Sequence, residues 1–280
     1  MRLTCTSFSF PLLSFEDACR AVALLGIPAV DLGAHAGGGH LEPDAIEGQP
    51  EATAERARRA LGAAGLAAAD LFPTFGHGFR DRPVNHPDPA VRAANAARFR
   101  SFVALCRATD CPGITLLPGV PWDEIGEVRS FDLAAEVLRG YVAVAADAGL
   151  RLSVEPHLES IAEAPERAAA LVAAVPGLRL TLDYSHFLAA GLPPERVHPL
   201  VPLAGHFHAR QAAPGTLQSP AHQGTLDFAD IVRRLRAAGY DGALCVEYTW
   251  QTWRGCNNVD VVSESLLLSD ELTRAMSGDA

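Results

Sequence analysis

Four short apolar runs in the second half of the chain each end in a residue that can ligate a metal, and this recurrence constrains the fold most. Leu152-Ser-Val-Glu-Pro-His157 carries Glu155 and His157. The run 178–183 (LRLTLD) ends in Asp183, with His186 three residues on. The run 203–210 (LAGHFHAR) carries His206, His208 and Arg210, and the run 243–247 (ALCVE) ends in Glu247. The runs are mostly β-branched or Leu, and helix-like segments follow them. Strands buried in a parallel sheet read this way. In a parallel barrel the C-terminal ends of the strands form the catalytic face, so ligands at four strand ends are expected to meet there.

The rest of the chain continues the pattern. Strands are expected at 3–10, 29–33, 66–72, 113–118 and 151–155, before those ending at Asp183, His208 and Glu247. Helices are expected at 14–25 with Ser14 as cap, 51–65 closed by Gly65, 90–109, 131–148, 165–174, briefly near Pro194, 228–238 and 259–275. A Gly-rich loop carries His35 and His40. The irregular segment 73–89 is long enough to suggest a functional loop. No linker, low-complexity tract or charge block divides the chain. Eight βα alternations predict an α/β fold, a single (β/α)8 TIM barrel forming one domain over residues 1–280. An open doubly wound sheet is disfavoured because the first βα turn, Phe8-Ser-Phe-Pro-Leu, lacks a Gly-rich phosphate fingerprint.

Composition removes several function classes. The formal net charge of -10 argues against nucleic acid as a partner. No apolar run approaches the roughly 20 residues of a membrane helix, and the N-terminal stretch reads as a strand rather than a signal peptide. The six cysteines show no CxxC pair, which suggests buried free thiols in a reducing cytoplasm. Every basic residue is Arg, so lysine Schiff-base chemistry is excluded.

Three carboxylates and an imidazole suit a divalent ion such as Mn2+, with Mg2+ or Co2+ as alternatives, rather than one that prefers thiolates. Glu155 and Glu247 are expected to face each other across the barrel mouth. Two carboxylates on opposite sides of a substrate can remove and return protons on opposite faces of one carbon, while a metal polarises the neighbouring oxygens.

Glu155-x-His157, Asp183-x-x-His186, His206-x-His208 and Val246-Glu247 together resemble the motifs of the xylose isomerase-like TIM-barrel superfamily, over nearly the whole chain. That group includes sugar epimerases, hydroxypyruvate isomerases, inosose dehydratases and the AP endonuclease 2 family. The resemblance implies that Glu155, Asp183, His208 and Glu247 bind the metal and that Glu155 and Glu247 double as acid and base. It implies substrate contacts for His186 and Arg210. The expected activity is a metal-dependent sugar isomerase or epimerase working through an enediolate. The partner is then a small sugar or polyol-derived ketone, with no nucleic acid and no membrane. Association as a homo-oligomer or within a heteromeric complex stays open.

Arg210 follows His208 by two residues, whereas the epimerases carry their Arg several residues later. This keeps a lyase of the same scaffold in view, acting on a keto-inositol, a dehydroshikimate-type substrate or a 3-keto-sugar conjugate. A catalytically silent sugar-binding or complex-forming barrel is the remaining alternative. His157 is expected beside the metal ligands or the substrate, and His222 reaches the site or shapes its loop. His206 reads equally as a core histidine. His35, His40, His77, His86, Arg80, Arg82, Trp122, Trp250 and Trp253 all fall in loops at the catalytic end.

Overall fold

The computed structural model describes residues 1–38 and 40–278. Gly39, inside the expected Gly-rich loop, and residues 279–280 of the expected domain lie outside the described residues. Eight strands close into a ring in chain order: β1 (Arg2–Thr6), β2 (Ala29–Ala34), β3 (Ala67–Pro73), β4 (Gly113–Leu116), β5 (Arg151–Val154), β6 (Arg179–Asp183), β7 (Ala204–Ala209) and β8 (Ala243–Val246). All neighbours are parallel, and β1 completes the ring by pairing Thr4 with Cys245 of β8. The surrounding helices, among the described residues, are α1 (Phe15–Leu24), α2 (Pro43–Gly48), α3 (Pro50–Ala64), α4 (Pro89–Ala108), α5 (Gly126–Asp147), α6 (Pro165–Ala174), α7 (Tyr184–Ala189), α8 (Phe228–Ala237) and α9 (Val261–Ser277). The chain is the (β/α)8 barrel that its alternation predicts.

Local chemistry explains where elements start and stop. Ser14 caps α1, its hydroxyl accepting from the Asp17 N–H at 3.1 Å, and Gly65 closes α3 at φ 67°. β1 ends at Thr6 rather than at residue 10. Ser7–Ser9 turn into a 3-10 segment, and the Ser7 hydroxyl accepts from the Gly33 N–H at 2.9 Å. α5 begins at Gly126 rather than at residue 131. The Ser130 hydroxyl donates to the Gly126 carbonyl at 2.8 Å and accepts from the Trp122 N–H at 3.0 Å, which fixes the added turn. α2 and α7 carry no helical period in the sequence because each is short, and the segment near Pro194 is a 3-10 turn.

The strands alternate, apart from register shifts at Val30/Asp31 and Leu180/Thr181. Outward residues such as Leu152, Val154, Leu180, Leu182, Phe207, Leu244 and Val246 are buried beneath the helices. Each such side chain contributes roughly 1.5–3 kcal/mol on burial. Many inward residues are polar, with Ala29, Ala69 and Ala243 forming a small apolar cluster of their own. Thr4 donates to Asp31 Oδ1 at 3.0 Å, and Asp31 Oδ2 lies 2.5 Å from His206 Nε2. On the other side Thr115 donates to Asp70, Thr181 and Thr115 share a hydrogen bond at 2.6 Å, and Arg151 Nη2 donates to Asp70 Oδ1 at 2.6 Å. These two networks form the floor on which the strand-end ligands stand.

Candidate metal centre and active site

Glu155 and Glu247 sit one residue beyond β5 and β8, but their backbones are still tied to the neighbouring strand. The Glu155 N–H donates to the Leu116 carbonyl at 3.0 Å and the Glu247 N–H to the Ala209 carbonyl at 2.8 Å. Both side chains therefore leave the barrel rim from fixed backbone. His208, inward on β7, aims Nδ1 between them, 2.8 Å from Glu155 Oε1 and 3.1 Å from Glu247 Oε2. Its Nε2 faces Asp31 Oδ2 at 3.5 Å without making a hydrogen bond.

Asp183 ends β6 and caps α7, its Oδ1 accepting from the Ser185 N–H at 2.8 Å. Its Oδ2 accepts from Arg210 Nη2 at 2.7 Å, and the same nitrogen stands 3.2 Å from Glu247 Oε2. His186, in the first turn of α7, places Nε2 3.8 Å from Glu155 Oε2 and 3.7 Å from Asp183 Oδ2. His157 donates from Nδ1 to the Leu158 carbonyl at 2.7 Å.

Burial and charge set these groups apart. Burial, then the neighbouring Glu247, pushes the Glu155 carboxyl up to about 7. Burial also works against ionisation of Glu247, but the Arg210 guanidinium and then His208 outweigh it and hold that carboxyl down at about 2. For His208 burial opposes the charged ring, yet Glu247 and the other carboxylates win and raise it well above an ordinary histidine. Burial holds His157 down at about 4 and, with His157 beside it, keeps His186 well below the usual range.

The donors fit a divalent ion. One atom each of Glu155, His208 and Glu247 lies within 4.8 Å of the others, and all three side chains are at most 5% exposed. Glu247 Oε2 is buried and, although His208 Nδ1 and Arg210 Nη2 stand 3.1 and 3.2 Å away, it accepts no well-directed hydrogen bond, which leaves a lone pair for a cation. Carboxylate oxygens with one imidazole suit Mn2+, Mg2+ or Co2+.

Above these residues lies a cavity of about 480 Å³, lined by Glu155, Glu247, His157, His186 and Arg210 together with two aromatic groups. On one side Phe79, His157 and Trp253 pack together, the His157 and Trp253 rings stacked at 5.0 Å. On the other, Phe8 and His35 lie 4.7 Å apart, with Phe72 at 5.5 Å from His35. Two loops meet at the mouth, where Arg254 Nη2 reaches Glu159 Oε1 at 2.8 Å. Both residues have left-handed backbone, at φ 52° and 67°, an arrangement that concentrates at functional sites.

The structure thus gathers Glu155, His157, Asp183, His186, His208, Arg210 and Glu247. It does not bring in His222, which is exposed on a 3-10 turn and pairs with Gln223 at 3.1 Å. Its loop is folded away because Gln211 clamps Leu226, donating to the carbonyl at 2.9 Å and accepting from the N–H at 3.1 Å. His206 lies below the site on Asp31. Asp31 itself went unnoticed in the sequence, although a carboxylate inside Ala29-Val-Asp-Leu-Gly33 follows the same strand logic as Asp183. His40 is buried against the Ser7 hydroxyl, and His86 packs on Trp122.

No curated protein matches the chain at a significant level. Solved structures share its fold. D-psicose 3-epimerase with D-tagatose from Clostridium cellulolyticum H10 is 14% identical with a TM-score of 0.77, over 98% of this chain and 99% of that one. A xylose isomerase-like TIM barrel protein from Mycobacterium smegmatis in complex with magnesium is 17% identical with a TM-score of 0.74, over 98% and 97%. The 3-keto-D-glucoside 4-epimerase from E. coli is 15% identical with a TM-score of 0.71, over 99% of each chain. These likenesses concern fold. The sequence model of the xylose isomerase-like TIM barrel matches residues 19–272, and with that match the chain belongs to the xylose isomerase-like TIM barrel family.

Proposed function

We propose that the chain is one domain acting as a divalent-metal-dependent sugar isomerase or epimerase, on a ketose or a related polyol-derived ketone. The carrying observation is the pair of strand-end glutamates on one imidazole, 2.8 and 3.1 Å from His208 Nδ1, at the base of the cavity. The ion's ligands are drawn from Glu155, Asp183, His208 and Glu247, with Mn2+ the preferred ion. When bound, the ion supplies polarisation of the substrate carbonyl and takes up part of the negative charge of the enediolate.

The chain's own residues divide the proton work. Glu247, kept ionised by Arg210, removes the proton alpha to the carbonyl. Glu155, the second carboxylate at the barrel mouth, returns a proton to the opposite face. Arg210, His186 and His157 hold substrate oxygens, and the aromatic walls exclude water from the reacting carbons. The six cysteines, all free and buried, support a cytoplasmic setting, and no helix among the described residues is long and apolar enough to cross a membrane.

A second reading rests on the cavity. Its 480 Å³ falls among sites that hold drug-sized ligands. That space and its aromatic lining favour a ring substituent on the sugar, which would leave as a β group in a lyase reaction on a 3-keto conjugate. Incubation with ketoses, inososes and 3-keto-glycosides in D2O tests both. Deuterium at the carbon alpha to the carbonyl, lost in Glu155→Gln and Glu247→Gln, is expected. Deuterated but intact product supports the isomerase, and a released aglycone supports the lyase. Absence of exchange with every substrate overturns both.

A further inference from the structure

Asp183 and Glu247 end the two strands that flank β7, yet their carboxylates are committed differently. Both oxygens of Asp183 are taken, Oδ1 by the Ser185 N–H at 2.8 Å and Oδ2 by Arg210 Nη2 at 2.7 Å. Arg210 is locked in turn: its Nε donates to the Ser185 hydroxyl at 2.9 Å, and its side chain is 3% exposed. Asp183, Ser185 and Arg210 therefore form a closed hydrogen-bonded ring in which each Asp183 oxygen accepts one hydrogen bond. Glu247 Oε2, also buried, accepts no well-directed hydrogen bond: Arg210 Nη2 is farther from it, at 3.2 Å, and His208 Nδ1 lies at 3.1 Å. The distances agree with this division. Donor atoms of Glu155, His208 and Glu247 lie within 4.8 Å of one another, and no such group among the described residues includes Asp183.

We infer that Arg210 withdraws Asp183 from the ligand set, so that three residues, Glu155, His208 and Glu247, hold the ion and a fixed guanidinium stands beside it. This rests on the reading of the site as a metal centre. It assigns Arg210 a task that a lone substrate-binding Arg does not have. The guanidinium neutralises Asp183 and is part of the cavity lining. A three-residue set leaves one more position open to substrate oxygens than a four-residue set does. The second oxygen of a hydroxyketone can then lie between ion and guanidinium.

Titration of Mn2+ into metal-free protein, against a fluorescent chelator, tests this without any substrate. The parent and Asp183→Asn, Glu247→Gln, Arg210→Met and Arg210→Met/Asp183→Asn are compared, with far-UV circular dichroism confirming the fold of each. Glu247→Gln is expected to weaken binding about 100-fold or more, as loss of a ligand does, whereas Asp183→Asn changes it by less than about threefold. Arg210→Met is expected to tighten binding about tenfold by freeing Asp183. The second substitution should then remove that gain, a coupling the double-mutant cycle reads directly. If Asp183→Asn weakens binding as much as Glu247→Gln, or Arg210→Met weakens it, the three-residue set is overturned while the metal centre stands. If the parent binds no Mn2+, the metal-centre reading fails and this inference falls with it.

Discussion

Glu155 and Glu247 carry the same side chain at equivalent strand ends and are put in different states by their neighbours. Arg210 stands 3.2 Å from Glu247, and among the described residues no guanidinium forms an ion pair with Glu155. Exchange activity is therefore expected to fall about 10²–10⁴-fold in either Gln variant, measured as deuterium incorporation. The asymmetry also has a signature in stability. The folded Glu155 carboxyl lies at about 7, above the ordinary carboxylate value, so its ionisation on the way up in pH disfavours the fold. In metal-free protein, Glu155→Gln should gain stability relative to the parent as pH rises from about 4.5 to 7, and the gap should stay constant above that. Urea midpoints across this range check it, and a pH-independent difference would contradict the assignment. The convergence of Glu155, Asp183, His208 and Glu247 was legible because each closes an apolar strand run and the strand period fixes its direction. The partners of Arg210 were not, because Ser185 and Asp183 reach it only through the pairing of β6 with β7.

The strands carry one more layer of information than a buried parallel strand usually does. Their outward residues read as a continuous apolar run, but the inward positions form a hydrogen-bonded floor. Asp31 and His206, 175 residues apart in the chain, meet there at 2.5 Å. Truncation in Asp31→Ala leaves His206 and Thr4 without their acceptor in the barrel interior. The expected cost is about 3–5 kcal/mol, read from chemical denaturation, with Asp31→Asn less severe. No local pattern signals that pairing, since its two halves come from β2 and β7. The loops were harder still. His222 was set in a turn that sequence places near the site, and the Gln211 clamp on Leu226 turns it outward. Trp253 proves to be a wall of the cavity, stacked on His157. Trp253→Ala is expected to raise KM for a ring-bearing substrate about tenfold while changing kcat far less, since the indole touches no reacting group.

At the scale of the whole barrel, the proposed metal centre should couple to folding, because the residues proposed as its ligands come from different strand ends and converge only in the closed ring. Saturation with Mn2+ at about 100 times its dissociation constant adds about 2.7 kcal/mol, which is about 5–10 °C in Tm for a chain of this size. Calorimetry before and after chelation should show the rise and its reversal. The six thiols offer a different readout. All are buried, and burial pushes Cys5 and Cys19 up to about 12, so thiol reagents should react only slowly, through local opening. Cys5, Cys19, Cys106 and Cys245 are held inside strands and helices, and Cys111 just before β4. Cys256 alone lies in the turn Trp253–Asn258, packed against Leu158 and Leu217 beneath the cavity wall. Its labelling rate is a clock for the opening of that wall. The first thiol to react should be Cys256, well before the other five, and slower whenever the cavity is filled. The molecule thus carries its own stopwatch for how long a substrate is detained.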